Sequence, residues 1–198
     1  MSFRNRIAAA FVLVLMLAIF QSASAQTPQA HPVARLLSAS SDPASRTRPR
    51  RVAVSPTVTN RSSLSEATEI ERRTFQMINT ERWRHGVAPL QWASDLYRMA
   101  RTHSANMAQQ AFFSHETPNG LRPRDRARAA GIRHFRVLAE NIAYNRGEDD
   151  PGASAVQQWL TSPGHRANIL SAEFAQSAIG SSVDAEGRVY LTQVFIAR

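Results

Sequence analysis

Three side chains combine residue types that can do chemistry with surroundings able to hold them still: His115, Glu140 and His165. His115 ends the run Phe112-Phe113-Ser114-His115, just before a turn signal at Thr117-Pro118-Asn119-Gly120. Glu140 lies within Ala139-Glu140-Asn141-Ile142-Ala143, and His165 within Ser162-Pro163-Gly164-His165-Arg166-Ala167-Asn168-Ile169-Leu170. Two imidazoles and a carboxylate are the protein ligands of an open zinc site, in which water completes the coordination. The same groups could serve as general acid and base, because histidine titrates near neutral pH. They could equally satisfy one another by hydrogen bonding and fix loop geometry. Their wide separation in sequence leaves all three readings open.

Other chemistries find less support. His115-Glu116-Thr117-Pro118 lacks a second histidine four residues on, so it is not a zinc-protease helix. There is no Gly-x-Ser-x-Gly nucleophile elbow and no phosphate-binding glycine loop. The chain has no cysteine, which removes thiol catalysis and any disulfide framework. His103 shares a helical face with Leu96, Ala100 and Met107 and reads as a satisfied core histidine. His85 and His134 sit beside glycines and arginines and read as surface residues. Arg122, Arg124, Arg126 and Arg128 alternate with Pro123, Asp125 and Ala127, a spacing that scatters charge around a helix surface. No aromatic residue interleaves them to stack on bases, so nucleic-acid binding is disfavoured.

The elements that must position these residues follow from periodicity and caps. Ser63-x-x-Glu66 is a capping-box pattern, and Glu69 and Glu71 suit the positive end of the helix that follows. Ile70, Thr74, Met77, Ile78 and Glu81 recur at helical spacing until Gly86. Pro89 to Trp92 reads as an extended plug for the core, and Ser94 as the cap of a second helix. Phe112 to His115 reads as strand-like. Pro123 to Ala130 is a short helix closed by Gly131, Val137 to Tyr144 is extended, and Ala153 to Leu160 is helical, with Trp159 as a core anchor. Ser162 caps one more turn that has Pro163 at its first position. Ala178 to Val183 and Arg188 to Ile196 are two strands joined by an Asp184-Ala185-Glu186-Gly187 hairpin loop. Helices around a few antiparallel strands define an α+β layered domain over 63–198.

The rest of the chain reads as export machinery. Arg4 and Arg6 precede an apolar run from Ile7 to Phe20, and Ala23-Ser24-Ala25 is a small-x-small cleavage signal, so 1–25 reads as a signal peptide. The apolar run is too short to span a bilayer; no transmembrane segment is expected in the mature chain, which would be periplasmic or extracellular. Residues 26–62, rich in Pro, Ser, Thr, Ala and Arg, read as a disordered linker. The net charge of +9 is carried by arginine alone, and Arg35, Arg46, Arg48, Arg50, Arg51 and Arg61 place much of it in this linker. Such a tail could attract anionic surfaces of an envelope.

The ordered motifs from about Ser65 to Ile196 resemble those of the CAP superfamily (cysteine-rich secretory proteins, antigen 5, pathogenesis-related 1) in its short bacterial form. The resemblance implies an α-β-α sandwich with a cleft tetrad of two histidines and two glutamates. His115, Glu140 and His165 match three of its members; the fourth position falls three residues after Trp159, where this chain has Ser162. It further implies a ligand-binding module for a small molecule, a lipid or an envelope component, with zinc as a cofactor held by His115, His165 and Glu140. A zinc-assisted hydrolase of peptides or cell-envelope polymers is the alternative, although Ser162 removes one of the two carboxylates.

Overall fold

The computed structural model describes residues 34–38 and 64–198. The expected signal peptide lies outside the described residues, as does the linker apart from Ala34–Ser38. Those five residues form a strand, β1. The remaining elements are α1 (Glu69–Arg84), β2 (Gln91–Trp92), α2 (Ser94–Gln109), α3 (Pro123–Ala129), β3 (Val137–Arg146), α4 (Pro151–Thr161), α5 (Pro163–Leu170), β4 (Gln176–Val183) and β5 (Arg188–Ala197).

The strands form one five-stranded sheet in the order β1-β3-β5-β4-β2. All pairings are antiparallel except β2 with β4. Helices cover both faces, so the domain is an α-β-α sandwich. On one face α2 lies across β4 and β5, with α3 beside it; on the other lie α1, α4 and α5. The long central strand β5 is buried from Val189 to Ala197 because both its faces are roofed by helices. Ile78, Leu96, Trp159, Phe174, Leu191 and Phe195 supply the largest pieces of the core.

Local chemistry explains where the helices begin. Thr68 caps α1: its hydroxyl accepts from the Glu71 amide, and the Glu71 carboxylate accepts from the Thr68 amide at 2.7 Å. The reciprocal box thus lies at Thr68-x-x-Glu71, five residues beyond the Ser63-x-x-Glu66 pattern. Ser94 is the first residue of α2 rather than its cap, a position taken by Ala93 with no side-chain bond. Ser162 does stand at the N-cap of α5 before Pro163, again without a side-chain cap bond. Phe112 to His115, read as strand-like, is instead an irregular loop against α2; aromatic bulk there serves packing, with Phe113 edge-on to Tyr144 at 4.9 Å. The hairpin between β4 and β5 turns at Gly187, whose φ of +75° suits glycine.

One close approach fixes the layer spacing. At Gly180 of β4, an added Cβ would collide with the Ala100 and Arg101 backbone of α2. The missing side chain lets α2 settle onto the sheet, where Ser104 donates its hydroxyl to the Gly180 carbonyl at 2.9 Å. His103, one residue earlier on α2, is thereby carried down towards β3.

Candidate functional site

Consecutive strand residues leave a sheet on opposite faces, and β3 uses both. Glu140 turns towards α2 and α3; Asn141 turns towards α5. On the first face Glu140 is fully buried and collects the groups around it. His115 donates Nδ1–H to its Oε1 at 2.8 Å. Arg126, from α3, brings Nη2 to 3.0 Å from both carboxylate oxygens, and the same nitrogen donates to the His115 carbonyl at 2.9 Å. His103 places Nε2 3.8 Å from Oε1 and donates from it to the Ser114 carbonyl at 3.0 Å. One carboxylate therefore ties β3, α2, α3 and the loop between α2 and α3 together.

The electrostatics of this cluster follow from burial and charge. Desolvation alone would raise the Glu140 carboxyl, but the Arg126 charge and the His115 hydrogen bond outweigh it and hold the group down at about 2. His103 moves the other way for a base: burial, helped by the Arg126 charge against the attraction of Glu140, lowers it to about 4. At neutral pH Glu140 is thus an anion and His103 a neutral ring with its proton on Nε2.

On the opposite face Asn141 donates from Nδ2 to the His165 carbonyl at 3.2 Å and accepts from Asn168 Nδ2 at 2.9 Å. These bonds dock α5, and with it the buried His165, against β3. Trp159, completely buried, donates its indole N–H to the Ile142 carbonyl at 3.0 Å and fixes α4 to the same strand. Ser162 is buried at the junction of α4 and α5, where its carbonyl accepts from the Arg166 amide.

Of the residues singled out in the sequence, His115 and Glu140 meet directly. His165 arrives on a helix held from the other face of β3. Two members were not anticipated: His103, read as core packing alone, and Arg126, read as one of four surface arginines. The helical stripe Pro123, Arg126, Ala127, all buried, was the available signal. Among the described residues no group of three or more His, Asp or Glu side chains is disposed to hold a metal ion. The donor set around Glu140 does not fit a divalent cation: a guanidinium already spans both carboxylate oxygens, and its charge would repel one.

A cleft opens beside this cluster. It has a volume of about 670 Å³ and is walled by Arg98, Met99, Thr102, Asn106 and Gln110 along α2. The turn from Thr117 to Leu121 closes one side, and Arg126 and Ala129 of α3, with Ala130 just past its end, the other. Thr117 braces that turn, accepting from the Leu121 amide and donating its hydroxyl to Asn119. Its size falls in the range of small-molecule sites.

A three-layer sandwich with a buried His-Glu pair beside a cleft is the architecture of a CAP domain. The chain belongs to the cysteine-rich secretory protein (CAP) family, whose model matches residues 75–195. It is 32% identical over 142 residues to YkwD and 34% identical over 131 residues to the membrane protein YlbC, both of Bacillus subtilis strain 168. These alignments take in 72% and 66% of this chain but only 52% and 35% of those proteins. An extracellular SCP-domain protein of Bacillus anthracis superposes with a TM-score of 0.58 at 28% identity, over 73% of this chain and 45% of that one. An outer surface protein of Borrelia burgdorferi shares the fold at the same TM-score and 16% identity, over 64% of this chain and 91% of that one.

Proposed function

We propose that this protein is an exported binding module, which takes a small ligand in the cleft between α2 and α3 while the Glu140 cluster braces the cleft floor. The observation that carries this reading is the division of labour between adjacent groups. Glu140 has both oxygens engaged by Arg126 and one by His115. A catalytic base or zinc ligand is better served by a carboxylate not already paired with a fixed cation; the cleft next to it needs only walls. The hydrolase alternative would have to draw on a carboxylate bound to a buried guanidinium, and Ser162 occupies the other position where one was expected. Export is supported by the leader-like residues 1–25 and by the extracellular setting named for the Bacillus anthracis protein. No helix among the described residues is long and apolar enough to cross a membrane.

The test is a thermal-shift screen of neutral, anionic and cationic small amphiphiles against the purified protein and its Thr102→Trp variant. Thr102 is an exposed α2 residue on the cleft wall, so the indole fills the cleft without entering the core. Saturable stabilisation by a ligand, lost in the variant, is the expected result. Hits that ignore the substitution, or hydrolysis of envelope polymers lost on Glu140→Gln in a variant that still folds, would overturn the reading.

A further inference from the structure

We infer that the concavity between α3 and the loop that follows it is a second site, built to hold a phosphate ester. It lies apart from the cleft between α2 and α3, and its failure would leave the binding-module reading untouched.

Helix α3 has two different faces. An α-helix turns once in about 3.6 residues, so Arg124 and Arg128 share one face and Arg126 stands on the opposite one. The Arg126 face enters the Glu140 cluster and the cleft wall. The Arg124 face forms one wall of a separate concavity of about 410 Å³, whose other wall is the loop from Ile132 to Phe135. The two hollows share no lining residue. The loop turns through left-handed backbone at Gly131, with φ of +75°, and again at His134, with φ of +61°. Histidine is among the few residues other than glycine that adopt this conformation readily.

Charge singles this concavity out. Its lining includes Arg124, Arg128, Arg133 and His134 and no aspartate or glutamate, and polar atoms make up most of its surface. Arg124 holds its guanidinium 5.5 Å from the centre of the Phe135 ring, which lines the same space. The ring positions that cation without cancelling its charge. Arg128 meets Asp125 only at 4.0 Å, with 70% of its side chain exposed, a pair that offsets little of the field. Arg133 is exposed and forms no ion pair among the described residues. A hollow walled by one sign of charge concentrates ligands of the other. Its volume is that of a small-molecule site. Guanidinium forks match phosphate oxygens bidentately, and a dianionic phosphate gains more from three of them than a carboxylate does. Phe135, half-buried, supplies apolar surface for the carbon body of the ester.

Calorimetry on the full protein at physiological ionic strength tests this, with phenyl phosphate, benzoate and phenol as probes. Phenyl phosphate is expected to bind saturably and at least tenfold more tightly than benzoate, and phenol not at all. Arg128→Gln/Arg133→Gln changes two exposed residues and should weaken binding at least tenfold while circular dichroism stays unchanged. Arg84→Gln/Arg146→Gln removes the same charge elsewhere on the surface and should leave affinity within about twofold. Vesicles of phosphatidylglycerol, with zwitterionic phosphatidylcholine as control, distinguish a lipid headgroup from a soluble ester. Phosphatidylglycerol binding lost in Arg128→Gln/Arg133→Gln, without binding of phenyl phosphate, keeps the phosphate site and names a lipid as its source. Where that variant fails to fold, the amide resonances of Arg133 to Phe135 in the wild-type protein decide. Their movement on titration supports the site; resonances unmoved at saturation overturn it. Equal weakening in both double variants reduces the effect to net charge and sinks the inference. Equal affinity for benzoate sinks it too, as does binding of neither phenyl phosphate nor the vesicles.

Discussion

Two glutamates are completely buried in this domain, Glu71 and Glu140, and they lock opposite flanks of the same sandwich. Glu71, near the β4 flank, is held mainly by neutral donors. Its oxygens accept from the amides of Thr68 at 2.7 Å and Ser181 at 2.8 Å, the Ser181 hydroxyl at 3.1 Å and the Tyr97 hydroxyl at 3.2 Å. The nearest cation, Arg101, stands 3.7 Å away with a side chain that reaches water. Glu140, on β3, is instead held by a guanidinium that is itself buried. A carboxylate satisfied by amides and hydroxyls closes on itself and leaves nothing over. A buried guanidinium brings more donors than one carboxylate can use, and Arg126 also forms part of the cleft wall. The same residue type is a staple on one flank and, through Arg126, the brace of a cleft wall on the other.

Substitutions should separate the two flanks by size of effect. The largest is expected from Glu140→Gln, which leaves Arg126 buried without its counter-charge and should cost about 3–5 kcal/mol in denaturant unfolding. A cost below about 1 kcal/mol would mean that the guanidinium escapes to solvent and the cluster is not a support. Next comes pH. The folded value of His103 is depressed to about 4, so the unfolded chain takes up a proton first as pH falls below the ordinary histidine value of 6.5. Stability is therefore full above about pH 6.5 and falls by up to about 3 kcal/mol on going to pH 4. Glu140, depressed to about 2, adds a further loss only below about pH 4.5. Unfolding curves for His103→Gln should lack the upper part of that slope; an unchanged slope would place its origin elsewhere.

Smaller effects sharpen the contrast. Glu71→Gln keeps one acceptor oxygen for Ser181 but sets an amide NH2 against the Thr68 N–H, and it buries no uncompensated cation, so it should cost about 1–3 kcal/mol. Equal costs for Glu71→Gln and Glu140→Gln would erase the distinction between the flanks. Thr102→Trp, on the exposed cleft wall, should leave stability within about 0.5 kcal/mol while removing ligand binding. A large stability loss there would show that the cleft is packed more tightly than its volume indicates.

Much of the architecture was legible because it is written locally. The stripe Leu96, Ala100, His103, Met107 marked the buried face of α2, and the Asp184-to-Gly187 turn marked the β4-β5 hairpin. The span Val137 to Tyr144 read as extended, although the turning of Glu140 and Asn141 to opposite layers was seen only in the structure. The site was half legible. His115 and Glu140, both singled out in the sequence, share a hydrogen bond, while the resemblance that pointed to His165 as a further member carried no sign of Arg126 or His103. Arg126 was hidden among four alternating arginines, and only the tertiary contact shows which of them enters the core. Its burial next to Pro123 and Ala127 is a helical pattern, but a seven-residue helix gives periodicity little room to declare itself. Phe112 and Phe113 suggested a strand because aromatic bulk favours sheets. Their rings pack on α2 and β3 from a loop, which propensity cannot distinguish.

The central claim is that the buried carboxylate is committed to the structure and the neighbouring cleft does the binding. Calorimetric titration of zinc into the metal-stripped protein, beside a His115→Ala/His165→Ala double variant, tests it most directly. The account predicts no saturable zinc binding in either protein. Stoichiometric binding in the wild type that disappears in the double variant would contradict it and return His115, Glu140 and His165 to the role of a metal centre.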